Sequence, residues 1–338
     1  VEDKIMSMSE AVKKFVTDGC TLCLAGSASP SPYAAIHEVA RQKKRDLTVV
    51  QVGSGMDIEV LAFTGLLKRF MCSYFYRAMG GERVFDRSVK KWGIQVEDYN
   101  HYSLVAMLMA GAMSLPFVPV KPNIVLTDIY RKRSFMGENK FKVVDNPFKP
   151  GEKVVLVPPL NPDVALVHVP RVDKYGNAQA WGPLSTLKFG AMACEKIIVS
   201  AEELVENQLV KLSPNYTIIP SYMVDAICIE PWGSHPTDLV GYYDVDFPFG
   251  MLYVTSSMAD ESFQEWIDEW VFGVSDRTQY IEHYIDKFGY PALERLKAKP
   301  YPTTTVNIGG TFQTYFEAFG ITEEMLKKMP EFIEAEVE

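Results

Sequence analysis

The sequence predicts an α/β fold, an open and mostly parallel sheet flanked by helices, with additional helices at the carboxyl end. Three observations carry this. Short apolar runs suited to buried strands recur at 20–25, 46–52, 154–158, 164–169, 193–200 and 223–229. Segments with helical spacing of apolar residues alternate with the first of them. From about residue 260 aromatic stripes at helical spacing replace the strand pattern.

Taken in order, 8–16 reads as an opening helix, with Ser9 as N-cap ahead of Val12, Phe15 and Val16. The stretch 18–57, DGCTLCLAGSASPSPYAAIHEVARQKKRDLTVVQVGSGMD, is the most informative. It reads as strand, glycine loop, helix, strand and second glycine loop. Tyr33, Ile36, Val39 and Ala40 supply the helical face, and 46–52 is β-branched and apolar. The loops AGSAS and GSGMD then sit at the carboxyl ends of neighbouring parallel strands, where open α/β sheets bind ligands. Gly26, Ser27, Ala28 and Ser29 form the first candidate ligand-binding loop, and Gly53, Ser54 and Gly55 the second. Small residues let a ligand approach, and their N–H groups can hold an oxyanion. The chain has neither GxGxxG nor GxxxxGK[ST], so dinucleotide and P-loop signatures fail.

Beyond this, 60–67 reads as helix and 69–76 as strand. A strong helical pattern places Leu104, Val105, Leu108 and Ala112 on one face, with Asn100 as N-cap and a stop by Leu115 before Pro116. Residues 130–150 are charged and turn-rich, and 172–176 is a turn. Phe263, Trp266, Ile267, Trp270 and Val271 mark one amphipathic helix. Tyr280, Ile281, Tyr284, Ile285 and Phe288 mark another, closed by Gly289, and Pro291 suits the first turn of a third. The division expected is one α/β domain over 1–290, including the helices from about 260, and a helical tail over 291–338.

Composition bounds the function. With 338 residues and 47% hydrophobic content a large core is available, and the net charge of −9 argues against nucleic-acid binding. The basic run Arg41–Arg45 suits a helix carboxyl end. Lys90-Lys91 and Arg131-Lys132-Arg133 are candidates to meet the phosphates of a small ligand. No 18-residue apolar run or signal-peptide pattern is visible, so neither a membrane span nor export is expected. Five scattered cysteines in apolar contexts suit a reducing cytoplasm. Cys20 and Cys23 form CxxC on a strand, where residues three apart face opposite ways, so they are not read as a redox or metal pair. No metal spacing is found. Four histidines read as structural: His37 on a helix, His168 at the end of a buried strand, His235 as a turn constraint, and His283 as solvated.

Several blocks carry a resemblance: AGSASPSPYAAIHEVARQ with DLTVV, VEDYNHYSLVAML with LPFVPV, FKVVDNPFKPGEKVVLVP, DVALVHV, GNAQAWG, VDAICIEPWGSHPTDLVGYYDVDFPF and EWVFGVSD. In this order they resemble the alpha, or A-type, subunit of glutaconate CoA-transferase, a family I CoA-transferase, across most of 4–290. The resemblance implies the NagB/RpiA/CoA-transferase-like fold. It also implies a heteromeric cytoplasmic enzyme, a heterotetramer or larger, with acyl-CoA and a carboxylic acid as substrates. No cofactor is held permanently, and the coenzyme A thioester is itself substrate. In such enzymes a glutamate of the B-type partner attacks the thioester, forming an acyl-glutamyl anhydride and then an enzyme–CoA thioester. The chain alone is then expected to be inactive. The nearest local counterpart, Glu138 in Gly137-Glu138-Asn139-Lys140, reads as a surface residue. The resemblance assigns Gly26 to Ser29 and Gly53 to Gly55 to the wall of the acyl site.

Two departures matter. The first loop of the relatives is GGF-like and often carries Arg or Lys before the proline, whereas this one has no base. That counts against glutaconate or another dicarboxylate. At His101 transferases tend to have glutamine, and related steroid ring-cleaving CoA hydrolases a catalytic glutamate. His101 falls in the first turn of the helix capped by Asn100, whose positive end disfavours an imidazolium. A neutral imidazole there can donate a hydrogen bond or act as base, which makes His101 the candidate catalytic residue. The alternative is a histidine that only caps the helix or bonds a neighbouring backbone group. The leading function is therefore the alpha subunit of a CoA-transferase. The runner-up is one chain of a CoA-thioester hydrolase or lyase cleaving a carbon–carbon bond with His101 as base. A third reading is a non-catalytic scaffold for a B-type partner.

Overall fold

The computed structural model describes residues 3–26, 30–75 and 82–298. Residues 299–338 of the expected helical tail lie outside them. The strands are β1 (Thr21–Leu24), β2 (Leu47–Ser54), β3 (Leu67–Phe75), β4 (Gln95–Asp98), β5 (Val118–Val120), β6 (Lys142–Asp145), β7 (Lys153–Val157), β8 (Val164–Asp173), β9 (Ala178–Gln179), β10 (Lys196–Val205), β11 (Thr217–Ile219) and β12 (Ala226–Ile229). Seven of them pair in parallel in the order β12-β10-β8-β1-β2-β3-β4. β9 and β11 extend the far end of β8 in antiparallel sense. The predicted open, mostly parallel sheet is the observed one.

Both faces of this sheet are covered, which explains the unbroken apolar runs. All ten residues of β8 are buried. Side chains alternate between two cores: Leu22 and Leu24 join one, Cys23 and Ala25 the other. Cys20 and Cys23 fall in different cores, as their spacing requires. The first core also takes in Phe263, Trp266, Trp270, Tyr280 and Tyr284 from the carboxyl-terminal helices.

Helices α1 (Met8–Phe15), α2 (Tyr33–Arg41), α3 (Met56–Phe63), α4 (Val84–Trp92) and α5 (His101–Ala112) belong to the first half. The N-cap of α1 is Ser7 and not Ser9. Ser7 and Glu10 form a reciprocal capping box, which Ser9 lacks because Val12 stands three residues on. The helix expected at 60–67 starts earlier, because the acidic Asp57 and Glu59 suit its first turn. The segment read as charged and turn-rich also contains β6, which joins β5 and β7 in a separate antiparallel sheet of order β5-β7-β6. Its four exposed residues give no burial pattern to read. A buried ion pair ties this segment to the main sheet: Lys140 Nζ lies 2.9 Å from Glu97 Oε1, and Glu97 Oε2 accepts from the amides of Ser134 and Met136.

The carboxyl-terminal helices are Phe247–Ser256, Asp260–Ile267, Arg277–Phe288 and Tyr290–Glu294, and His235 ties the first and third of them to the domain. Its Nδ1 lies 2.9 Å from Tyr280 Oη and its Nε2 3.2 Å from Asp246 Oδ2. Leu293 and Leu296 are buried in the first core. Among the described residues no helix is long and apolar enough to cross a membrane.

Two buried groups make stability depend on pH in opposite senses. Burial holds the His235 imidazole below its ordinary 6.5, at about 4. The unfolded chain then binds more protons between these values, so stability falls as the pH drops through that window. Glu230, after β12, has its carboxyl pushed by burial from 4.5 up to about 7. Here the folded state binds the extra proton, so stability is lost as the pH rises through the window. Glu230→Gln is expected to match wild type near pH 4.5 and to exceed it by about 2–3 kcal/mol at pH 8 in urea unfolding. Below pH 6.5 the variant should lose stability more steeply than wild type, since His235 then acts unopposed.

Candidate active site

The carboxyl ends of β1, β2, β3 and β4 lie side by side and lead into the glycine loops and the first turn of α5. This edge brings together Gly26, the segment Gly53 to Gly55, and His101. Ser27, Ala28 and Ser29 lie outside the described residues.

Gly26 follows β1 with φ 123°, and a Cβ there would come within 2.5 Å of the Pro30 carbonyl oxygen. Only glycine fits that tight return of the chain. The Gly26 carbonyl accepts from the Thr186 hydroxyl, and its N–H faces Thr186 Oγ1 at 3.3 Å.

Gly53 and Ser54 end β2, and Gly55 begins the turn into α3. The centre of this turn is Asp57, which is 1% exposed. Asp57 Oδ1 accepts from Ser54 Oγ at 3.1 Å and from the amides of Gly55 and Ile58 at 2.9 Å each. Asp57 Oδ2 accepts from Ser31 Oγ at 2.7 Å and Gln51 Nε2 at 2.5 Å. The Gly55 N–H, a candidate ligand donor by sequence, is therefore directed inward to Asp57. Sequence reasoning passed over Asp57, although an acidic residue in a helix first turn behind a small-residue loop was the available signal.

The first loop is also held from the other side. Ser31 N donates to Ser234 Oγ at 2.9 Å, and Ala34 N to the Gly233 carbonyl at 3.0 Å. Glu202 secures that turn by accepting from the amides of Trp232 and Gly233 and from Tyr243 Oη. His168 Nε2 lies 2.7 Å from Glu202 Oε1. Burial pushes the Glu202 carboxyl up, but these partners outweigh it and leave it below its ordinary value.

His101 stands at the first position of α5, exposed, behind the Asn100 cap whose Oδ1 accepts from Ser103 N at 2.7 Å. The predicted cap and the placement of His101 in the first turn are both observed. Its Nδ1 lies 3.1 Å from Ser73 Oγ, and the Tyr74 ring is 6.1 Å away between centroids. A cavity of about 250 Å³ opens beside this turn, lined by Asn100, Tyr102, Ser103, Lys121, Asn123 and Thr127 among others.

The remaining candidates fall elsewhere. Glu138 is exposed and pairs with Arg133 at 2.6 Å. Lys90 pairs with Glu82, and Lys132 with Asp128. His37 is buried against Tyr33, Trp266 and Tyr280. His168 lies within a strand and not at its end. His283 is not simply solvated: it is half-buried, with Nε2 2.8 Å from Glu269 Oε1, because Trp270 packs on its ring.

A mostly parallel sheet with glycine loops at its carboxyl edge is an α/β scaffold of the kind that binds ligands at that edge. The chain belongs to the Coenzyme A transferase family, whose profile matches residues 5–230. It is 33% identical over 311 residues to the A-type subunit of glutaconate CoA-transferase from Acidaminococcus fermentans, covering 88% of this chain and 95% of that one. The crystal structure of glutaconate coenzyme A-transferase from that organism superposes with a TM-score of 0.79 at 32% identity, over 88% of this chain and 96% of the other. The A-type subunit of 3-oxoadipate CoA-transferase from Pseudomonas knackmussii is 31% identical, over 82% of this chain and 96% of the relative. The cholesterol ring-cleaving hydrolase IpdA subunit of Rhodococcus jostii is 30% identical, over 82% and 95%.

Asp57→Ala orphans five donors, most of them buried. It is expected to lower stability by about 3 kcal/mol in urea unfolding, with α3 still helical by circular dichroism.

Proposed function

We propose that this chain is the alpha subunit of a heteromeric CoA-transferase that moves CoA between an acyl-CoA and a free carboxylic acid. The nucleophilic glutamate resides on a B-type partner, and the complex is a heterotetramer or larger. One observation carries this: Asp57, the carboxylate buried between the two loops, is saturated by five protein donors and is a brace, not a nucleophile. The chain supplies a shaped wall, and the attacking group comes from outside it. Relatives named as the corresponding subunits of two CoA-transferases support the reading. The wall is formed by Gly26 to Ser29 and Gly53 to Gly55, with His101 beside it. The coenzyme A thioester is substrate, and the enzyme works in the cytoplasm.

A second reading is favoured by His101, whose Nε2 has no partner among the described residues. In a CoA-thioester hydrolase or lyase that cleaves a carbon–carbon bond, this nitrogen is the base. The IpdA-type relative supports it.

The test uses the chain co-expressed with its B-type partner. The pair is incubated with acyl-CoA, quenched with hydroxylamine or borohydride, and searched for a modified carboxylate by mass spectrometry. A glutamyl adduct on the partner is the expected result. An adduct on Asp57 or any other carboxylate of this chain overturns the division of labour between the two chains. Water-dependent turnover without any adduct, reduced roughly 100-fold or more in His101→Ala, replaces the transferase reading with the second one.

A further inference from the structure

We infer that Ser73 is a positioning residue that fixes the protonation pattern of His101, making the exposed Nε2 the proton-accepting atom. The inference rests on the second reading above, in which His101 is the base, and specifies how that side chain is held for it.

A count of protons fixes the pattern. Ser73 Oγ lies 2.6 Å from the Val52 carbonyl oxygen and 3.1 Å from His101 Nδ1. A carbonyl oxygen only accepts, so the short contact to Val52 takes the single hydroxyl proton of Ser73. Towards His101 the serine oxygen is left with lone pairs alone. Nδ1 must then be the donor and carry the proton. A neutral imidazole has one N–H, so the lone pair falls on Nε2. This nitrogen makes no hydrogen bond among the described residues, and the side chain is exposed.

Two consequences separate the roles open to His101. In its neutral form it cannot offer Nε2–H to an oxyanion, so it is not an oxyanion donor from that atom. It can take a proton at Nε2 from a water or from a carbon acid of the substrate. The imidazolium so formed keeps Nδ1–H on Ser73 unchanged, and the same proton is later returned from Nε2 to product. Ring orientation and the Ser73 contact are therefore the same before and after the transfer. The chain Val52 carbonyl, Ser73 hydroxyl, His101 imidazole works as a neutral orienting relay. Its two anchors are the paired strands β2 and β3, so the sheet sets the geometry and not a loop.

The test is nuclear magnetic resonance on the assembled complex with this chain labelled with 15N in its five histidine rings. Two-bond 1H–15N correlations report which ring nitrogen carries the proton, and His101→Gln assigns the signal. The expected spectrum at a pH where the ring is neutral has Nδ1 protonated and Nε2 bare. Ser73→Ala should move the population to the Nε2–H tautomer and lower kcat on the order of tenfold, with KM little changed. Ser73→Thr, which keeps the hydroxyl, should restore both. An Nε2–H tautomer in the wild type, or one unmoved by Ser73→Ala, overturns the inference and leaves the proposed transferase role intact. The expected tautomer together with full activity in His101→Gln overturns the base role of His101 instead.

Discussion

The candidate site depends on one carboxylate. Asp57 is buried at the junction of the loops that follow β1 and β2, and an unpaired charge there would be prohibitive. It is tolerated because five donors, from Ser31, Gln51, Ser54, Gly55 and Ile58, converge on its two oxygens. Those donors come from both loops, so satisfying the charge fixes the loops relative to one another. The same restraint continues outward. Ser31 is bound through its amide to Ser234, and the Ser234 turn hangs from Glu202 on β10. A polar strut thus runs beneath the carboxyl edge of the sheet, from β2 across to β10.

This explains how the small residues Gly53 to Gly55 hold a shape. Such residues bring little side-chain packing of their own and carry high conformational entropy. Their order is imported from the buried carboxylates beneath. His101 is positioned differently: a helix cap sets its backbone and the paired strands β2 and β3 set its ring.

The sequence made the sheet and the loops at its carboxyl edge readable because both rest on local periodicity. The strands at 46–52 and 164–169, the helix from Tyr33 and the Asn100 cap each depend on residues a few positions apart. What escaped it depends on distant partners. Asp57 sat inside the most closely read stretch, yet its role needs Ser31 on another loop. Glu202 and His168 meet the Gly233–Ser234 turn only through tertiary folding. Strand β6 escaped because an exposed edge strand leaves no alternation in hydrophobicity. His101 was found by its place in a helix turn, but its partner Ser73 lies 28 residues away, out of reach of any local rule.

The central claim is that the carboxyl edge of β1 to β4 is the substrate-facing surface of this chain. Hydrogen–deuterium exchange on the complex with its B-type partner, with and without acyl-CoA, tests it most directly. The account predicts ligand-induced protection of peptides covering 26–33, 53–58 and 99–104. Peptides at the opposite edge, around Gly65 and Gly93, should exchange as before. Protection at Gly65 and Gly93 with none at the carboxyl edge would contradict the account.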